Sequence, residues 1–291
     1  MSKESDFAQG GLRIAIIGVG LIAGSLGMAW RRAGVAREII GIDAEPVLTD
    51  AVRLGAVDRA GTMAEAFSAC DVVVLGAPVR AIIEQARSHG PLARAGLVVT
   101  DVGSTKEAIV RMWEAHLPEG ASFVGGHPLF GREVSGVANA AADLPHGVPY
   151  VLTPGGRATP EAVAVITRLA EAAGAVPRVM TPAEHDARLA VSSHLPQMVA
   201  TALAAAALAA DEQLTGVLDL TAGGFRDTTR IAGSPASLWV DIFMTNPAAV
   251  RAALALFRTQ LDALENALEW GDPEAIEQVF DRANEARRRL T

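Results

Sequence analysis

The chain has 291 residues, half of them hydrophobic, and a formal net charge of −8. That length suits two ordinary domains with a substantial core. The acidic balance, without any basic block interleaved with aromatics, excludes a general affinity for nucleic acid or anionic membrane surfaces, though not for a small anion held by one arginine in a pocket.

The opening MSKESDFAQG is polar and lacks the apolar region of a secretion signal. LRIAIIG at 12–18 is a near-continuous apolar run suited to a central parallel strand, and GVGLIAGSLGMAWRRAG at 18–34 reads as a turn opening a helix that ends near Gly34. EIIGIDA at 38–44 supplies a second strand and closes a βαβ unit. The alternation continues with a helix at 47–56, a strand DVVVLGAP at 71–78, a helix at 79–89, a strand GLVVTDVGS at 96–104 and a helix at 106–117. Strands at 121–128 and 147–154, a helix at 161–174 and a strand at 175–180 complete it. Such alternation argues an α/β domain with a Rossmann-type doubly wound parallel sheet over 1–180.

Beyond Thr181-Pro182 strand-like runs nearly vanish, and an all-α domain is expected over 181–291. Its helices are expected near 182–211, 212–222, 235–266 with an interruption at Pro247, and 272–288. The small-apolar run 198–210 is about 13 residues, below the roughly 20 that span a bilayer, and reads as a buried helix. Being apolar all round, it also suggests a subunit interface and a homodimer. The single cysteine, Cys70, excludes an intramolecular disulfide; it reads as core packing in a reducing, cytoplasmic compartment, and no metal site is expected.

Gly18, Gly20 and Ala23, in GVGLIA, follow the first strand and open a helix. The first glycine permits the turn, the second leaves room for a pyrophosphate against the helix N-terminus, and the alanine allows close packing. Leu21 and Ile22 lie within the same turn, and Asp43 at the end of the second strand is placed to accept hydrogen bonds from a ribose. No cation neighbours Asp43 to neutralise a 2′-phosphate, which favours NAD over NADP. Ala77 and Pro78 in LGAP, and DVGSTK at 101–106, fall on the same carboxyl edge of the expected sheet.

His127, in GGHPLFG, is suited to exchanging a proton near neutral pH while hydride leaves the same carbon; fastening the turn is the alternative. Ser104 could orient an imidazole or receive a substrate oxygen, while Asp101 and Lys106 could equally cap the following helix. His194, in SSHLPQ, is either cleft-facing, because Pro196 interrupts the helix, or an interior residue. His89, His116, His146 and His185 carry no comparable context and read as structural or solvent-facing. In GGFRDTTRIA, Arg226 and Arg230 share a helical face; either could clamp a carboxylate, or Arg230 could pair with Asp227.

The ordered set GVGLIAGSL, DVGSTK, GGHPLFG, SSHLPQ, GGFRDTTRIA and LWVDIFMTN resembles the prephenate/arogenate dehydrogenase family of tyrosine biosynthesis, from about residue 12 onward. The resemblance implies a nucleotide-binding domain, a helical dimerisation domain, and NAD-dependent oxidative decarboxylation of prephenate or arogenate, a small anionic cyclohexadienol. It implies His127 as the catalytic histidine and Ser104 as its companion. Arg230 would bind the ring carboxylate, with Asp227 as its acidic partner, Trp239 as a pocket residue from the neighbouring subunit and Glu133 at the entrance. Where many members end this motif in a second histidine, the chain has Gln197, which cannot become a cation, so preference between the two substrates stays open. No additional regulatory domain is expected. The residues by themselves also admit a hydroxyacid dehydrogenase acting on another small carboxylate, or a noncatalytic nicotinamide-binding protein.

Overall fold

The structure is a computed structural model that describes residues 11–131 and 134–290. Two compact units divide the chain: the first runs to Arg188 and recovers Ser234–Asn246, while the second takes Leu189–Gly233 and the chain from Pro247 onward. Packing of the first unit thus continues beyond residue 180, and a helix expected among those of the second half belongs to the first unit.

The first unit is built on an eight-stranded sheet: β1 (Leu12–Ile17), β2 (Ala36–Ile42), β3 (Arg59–Ala60), β4 (Val72–Leu75), β5 (Val98–Asp101), β6 (Ser122–Pro128), β7 (Pro149–Pro154) and β8 (Val176–Val179). Their spatial order is β3-β2-β1-β4-β5-β6-β7-β8. Side chains alternate between two buried faces, as the period of two dictates. Ile14, Ile16, Val72 and Val74 pack under α1 (Leu21–Arg32) and α6 (Pro160–Ala172). Ala15, Ile17, Val73 and Leu75 pack under α3 (Met63–Ala69), α4 (Val79–His89) and α5 (Glu107–His116). A helix α2 (Glu45–Arg53) follows β2. A buried indole ties two helices together within each layer: Trp30 donates to the Leu169 carbonyl at 2.8 Å, and Trp113 to that of Ile82 at 3.0 Å.

The sheet is mixed rather than wholly parallel, because β7 runs antiparallel to β6. A parallel return needs a crossover, usually a helix. The described part of the β6–β7 connection instead holds only a 3-10 turn at Val137–Asn139 and folds onto α1, where Ser25 accepts the N–H of Ala141 at 3.0 Å. Pro145 and the glycines at 131, 136 and 147 discourage a helix there. Since β2, β1, β4, β5 and β6 remain mutually parallel, their carboxyl ends share one edge. Two further helices complete the unit, α7 (Pro182–Leu189) and α10 (Ala236–Thr245).

The second unit contains α8 (Leu195–Gln213), α9 (Gly223–Thr229), α11 (Pro247–Trp270) and α12 (Pro273–Arg288). The helix expected at 212–222 is replaced by a turn with a short 3-10 segment at Leu218–Leu220. Asp211 accepts the N–H groups of Gly216 and Leu218 at 3.0 and 3.1 Å, and Gly216 has φ +98°, so the side chain and a left-handed residue divert the backbone. The expectation that 198–210 is a buried helix does not hold for the single chain: in α8 only Gln197 and Ala200 are buried. Its neighbours cover the first turns alone. The continuous helical run Pro182–Gln213 is by length and composition apolar enough to cross a membrane, and 17% of its most apolar stretch is buried. Leu208, Leu256, Leu268, Trp270 and Phe280 are likewise exposed.

Candidate active site

The glycine turn after β1 is held by a close approach of two backbones. Gly18 has φ +87°, and a Cβ there would lie 2.7 Å from the Ala77 nitrogen, so the first turn and the LGAP turn after β4 touch. Ala23 is buried against the same turn, 2.7 Å from where a Cβ on Gly76 would sit, which limits its size. Gly20 is the N-cap of α1, and a Cβ there would meet nothing within 4 Å. The helix has neither a side-chain cap nor an acidic residue in its first turn. Its N-terminal donors and dipole therefore present an open cradle suited to a pyrophosphate. Leu21 is buried beneath it and Ile22 half-buried.

Asp43 ends β2, and its carboxylate accepts the N–H of Val19 at 2.8 Å and of Ala44 at 2.7 Å. Its side chain is exposed, so oxygen lone pairs remain for a ribose. Gly18, Gly20, Asp43, Met63, Ala77 and Pro78 line one cleft of about 410 Å³. A dinucleotide such as NAD fits this residue set.

On the same edge, the end of β6 carries His127, half-buried, opposite Val151 of β7. The preceding peptide is clamped from both sides. Asp101 accepts the Gly126 N–H at 3.1 Å and the Gly103 N–H at 2.8 Å, and the fully buried Lys106 donates to the Gly126 carbonyl at 2.6 Å while pairing with Asp101. A Cβ on Gly126 would lie 2.5 Å from the Asp101 carbonyl oxygen, so only glycine allows this approach. Burial pushes the Asp101 carboxyl up and the Lys106 ammonium down, each offset by the other's charge. Lys106 stands at the N-cap position of α5, but its side chain does not cap the helix and serves instead as a buried ion-pair partner. Ser104 lies half-buried on the intervening turn.

The imidazole of His127 is engaged by a residue that the sequence reading set aside. His185, fully buried in α7, places its Nε2 2.7 Å from His127 Nδ1, and its own Nδ1 lies 2.8 Å from Asp186 Oδ1. Asp186 in turn accepts the N–H groups of Lys106 and Glu107 at 2.8 and 2.9 Å, capping α5. His185 is therefore not solvent-facing but a buried, hydrogen-bonded residue. Its helix is anchored by a reciprocal cap: Thr181 accepts the Glu184 N–H, and Glu184 accepts the Thr181 N–H. That TPAE signature, immediately before His185-Asp186, was the local signal for a fixed helix start. The contact with His127 had no local signal.

Helix α10 carries Trp239, half-buried and packed on Phe243 at 5.7 Å between ring centroids. It is secured within the first unit by Asp241 accepting the Arg80 N–H at 3.3 Å, by a Thr105–Thr245 hydroxyl contact of 2.8 Å, and by Asn246 donating to the Asp186 carbonyl at 2.9 Å.

In the second unit, buried Gln197 donates to the Ile231 carbonyl at 3.0 Å, which brings the SSHLPQ motif beside the turn that carries Arg230. Arg230 and Asp227 are exposed. His194 is buried within a π-helical turn, Ala190–His194, where the widened backbone precedes Pro196. Glu133 lies outside the described residues.

Two family models cover nearly the whole chain: the prephenate dehydrogenase nucleotide-binding domain matches residues 26–179, and the prephenate dehydrogenase dimerization domain matches residues 181–282. The glycine turn precedes the first match and rests on its own geometry. A prephenate dehydrogenase of Bacillus subtilis is 33% identical, over 94% of this chain and 75% of the relative. A cyclohexadienyl dehydrogenase of Zymomonas mobilis is 31% identical, over 94% of each. Among solved structures, Aquifex aeolicus prephenate dehydrogenase in complex with hydroxyphenyl propionate and NAD+ superposes with a TM-score of 0.89 at 32% identity, covering 96% of this chain and 98% of that one. Synechocystis arogenate dehydrogenase gives 0.81 at 30% identity, covering 96% and 100%. With the dinucleotide cradle and a histidine on one sheet edge, and both family models matched in order, the chain belongs to the prephenate dehydrogenase family.

Proposed function

We propose that the chain catalyses NAD-dependent oxidative decarboxylation of prephenate or arogenate, giving 4-hydroxyphenylpyruvate or tyrosine. The observation that carries this reading is His127 at the carboxyl end of β6, on the edge that holds the Gly18–Gly20 cradle and Asp43. Bound NAD supplies the hydride acceptor. The α1 N-terminus holds its pyrophosphate and Asp43 its ribose. His127 takes the proton of the ring hydroxyl as general base, with Ser104 steering that oxygen. Arg230 binds the ring carboxylate, supported by Asp227, and holds it loosely enough to leave as carbon dioxide. Trp239 lines the substrate pocket, and His194 and Gln197 lie towards the substrate side chain. Gln197 has no charge to offer there, so its pairing with the α-keto acid or α-amino acid form rests on hydrogen bonding alone.

The exposed leucines of α8 and α11, with Trp270 and Phe280, support a homodimer whose partner covers them. The test of function is NADH formation, followed by absorbance, with prephenate and arogenate in parallel. Turnover of either is expected. Turnover of neither, while another hydroxyacid is oxidised, would replace the substrate assignment.

A further inference from the structure

The buried contacts behind His127 form a directional chain. Asp186 presents carboxylate oxygens, which accept, and both are already engaged by backbone N–H groups at the start of α5. His185 Nδ1, 2.8 Å away, must then be the protonated nitrogen of its ring. Burial holds His185 below the usual histidine range, an effect to which Lys106 adds and which Asp186 and Asp101 oppose; this favours the neutral ring, in which a protonated Nδ1 facing Asp186 leaves Nε2 as the acceptor. Among the described residues, the group placed to donate to that acceptor is His127 Nδ1–H, at 2.7 Å. The proton of neutral His127 is thus committed to Nδ1, and Nε2 is its basic nitrogen.

We infer that His185 is a positioning residue that fixes the tautomer of His127 and, through Asp186, steadies the imidazolium formed when His127 accepts a proton. The inference rests on the reading of His127 as the base. In the step, the substrate hydroxyl loses its proton to His127 Nε2 as the C–H electron pair on the same carbon is given up as hydride, which bound NAD would accept; the C–CO2 electron pair then aromatises the ring as carbon dioxide leaves, and His127 returns the proton to the phenolic oxygen. The positive ring then donates Nδ1–H more strongly to His185, whose own N–H points at Asp186. No proton need pass beyond His127.

Among the described residues, the titratable groups around this pair are Asp186 on α7, Lys106 on the turn before α5, Asp101 at the end of β5 and Tyr150 on β7. Burial raises Tyr150, which leaves its phenol neutral at working pH. The charges that act on His185 are thus those of Asp186 and of the mutually compensating Asp101–Lys106 pair.

The test measures the tautomer and the chemistry separately, in the full chain. Ring ¹⁵N shifts of wild type, with His127→Asn used for assignment, should show His127 protonated at Nδ1 and pyridine-like at Nε2. In His185→Leu that preference should be lost and kcat should fall about 100-fold. The acidic limb of the kcat–pH profile should move down by about one pH unit, because the stabilisation of the imidazolium is removed. His185→Gln, whose amide oxygen can still accept from Nδ1–H, should recover about tenfold of the loss while KM for NAD stays within about twofold of wild type. A wild-type His127 pyridine-like at Nδ1 would overturn the inference. So would a His185→Leu enzyme with unchanged kcat and pH limb, or Gln and Leu variants equally slow with the limb unmoved. Full turnover by His127→Asn would instead remove the base assignment, a result separable from the tautomer itself.

Discussion

Asp43 Oδ2 accepts the backbone N–H of Val19 at 2.8 Å, so the residue assigned to the ribose also fastens the glycine turn that receives the pyrophosphate. On the proposed assignment, one carboxylate would couple recognition of both halves of the cofactor. Asp43→Ala should lose charge-assisted hydrogen bonds of about 1.5–3 kcal/mol, which corresponds to a roughly 10- to 100-fold higher KM for NAD. The measurement is kcat/KM with NAD and with NADP. The ratio should shift towards NADP, and an unchanged ratio would remove Asp43 from cofactor recognition.

Gln197 supports the Ile231 carbonyl, next to Arg230, and this gives two substitutions with different signatures. Arg230→Ala should raise substrate KM about 100-fold through loss of a charged clamp. Gln197→Ala should raise it about tenfold by loosening the turn, with one neutral hydrogen bond at stake. Steady-state kinetics with both candidate substrates separate the two, and Arg230→Ala with wild-type constants would end its assignment.

Lys106 and Asp101 are both fully buried, so neither charge tolerates the loss of the other. Lys106→Met should destabilise by about 3–5 kcal/mol, since it leaves an uncompensated carboxylate. The double variant Lys106→Met/Asp101→Leu should recover part of that. Denaturant midpoints of the singles and the double give the coupling; additive losses would contradict a tightly coupled pair.

Glu65 bridges Arg59 and Arg13, and the Arg59 hydrogen bond holds its carboxyl below the ordinary 4.5. A depressed folded pKa means stability that is present above pH 4.5 and lost as pH falls through the lower folded value. Glu65→Gln should therefore melt earlier than wild type at pH 7, with the gap closing on acidification below pH 4.5. A gap constant from pH 7 to pH 3 would show that the network is not the source.

Leu208 and Leu268 are 53% and 72% exposed in the single chain, and a second copy is the assigned cover. Leu208→Glu and Leu268→Glu should shift sedimentation from dimer towards monomer. Wild type sedimenting as a monomer would refute the assignment.

What the sequence reveals here is what neighbouring residues determine. β1, the glycine turn and α1 follow from an apolar run and the spacing of Gly18, Gly20 and Ala23, and α4 occupies Val79–His89 as its pattern suggests. The direction of β7 was hidden because it depends on where the 129–148 connection packs. The importance of His185 was hidden because its partner lies 58 residues away in the chain. Lys106 read as a possible cap of the following helix, and it does stand at that position; that its side chain is buried against Asp101 had no local signal. The 212–222 segment misled through its helix-forming leucines, when Asp211 and Gly216 decide its path.

The clearance at Gly126 bears on any attempt to alter this protein. A single methyl group there would collide with the β5 backbone and displace the neighbouring imidazole. Mutant libraries aimed at new substrates should spare that position and concentrate diversity at half-buried side chains outside the strand, such as the one at 239.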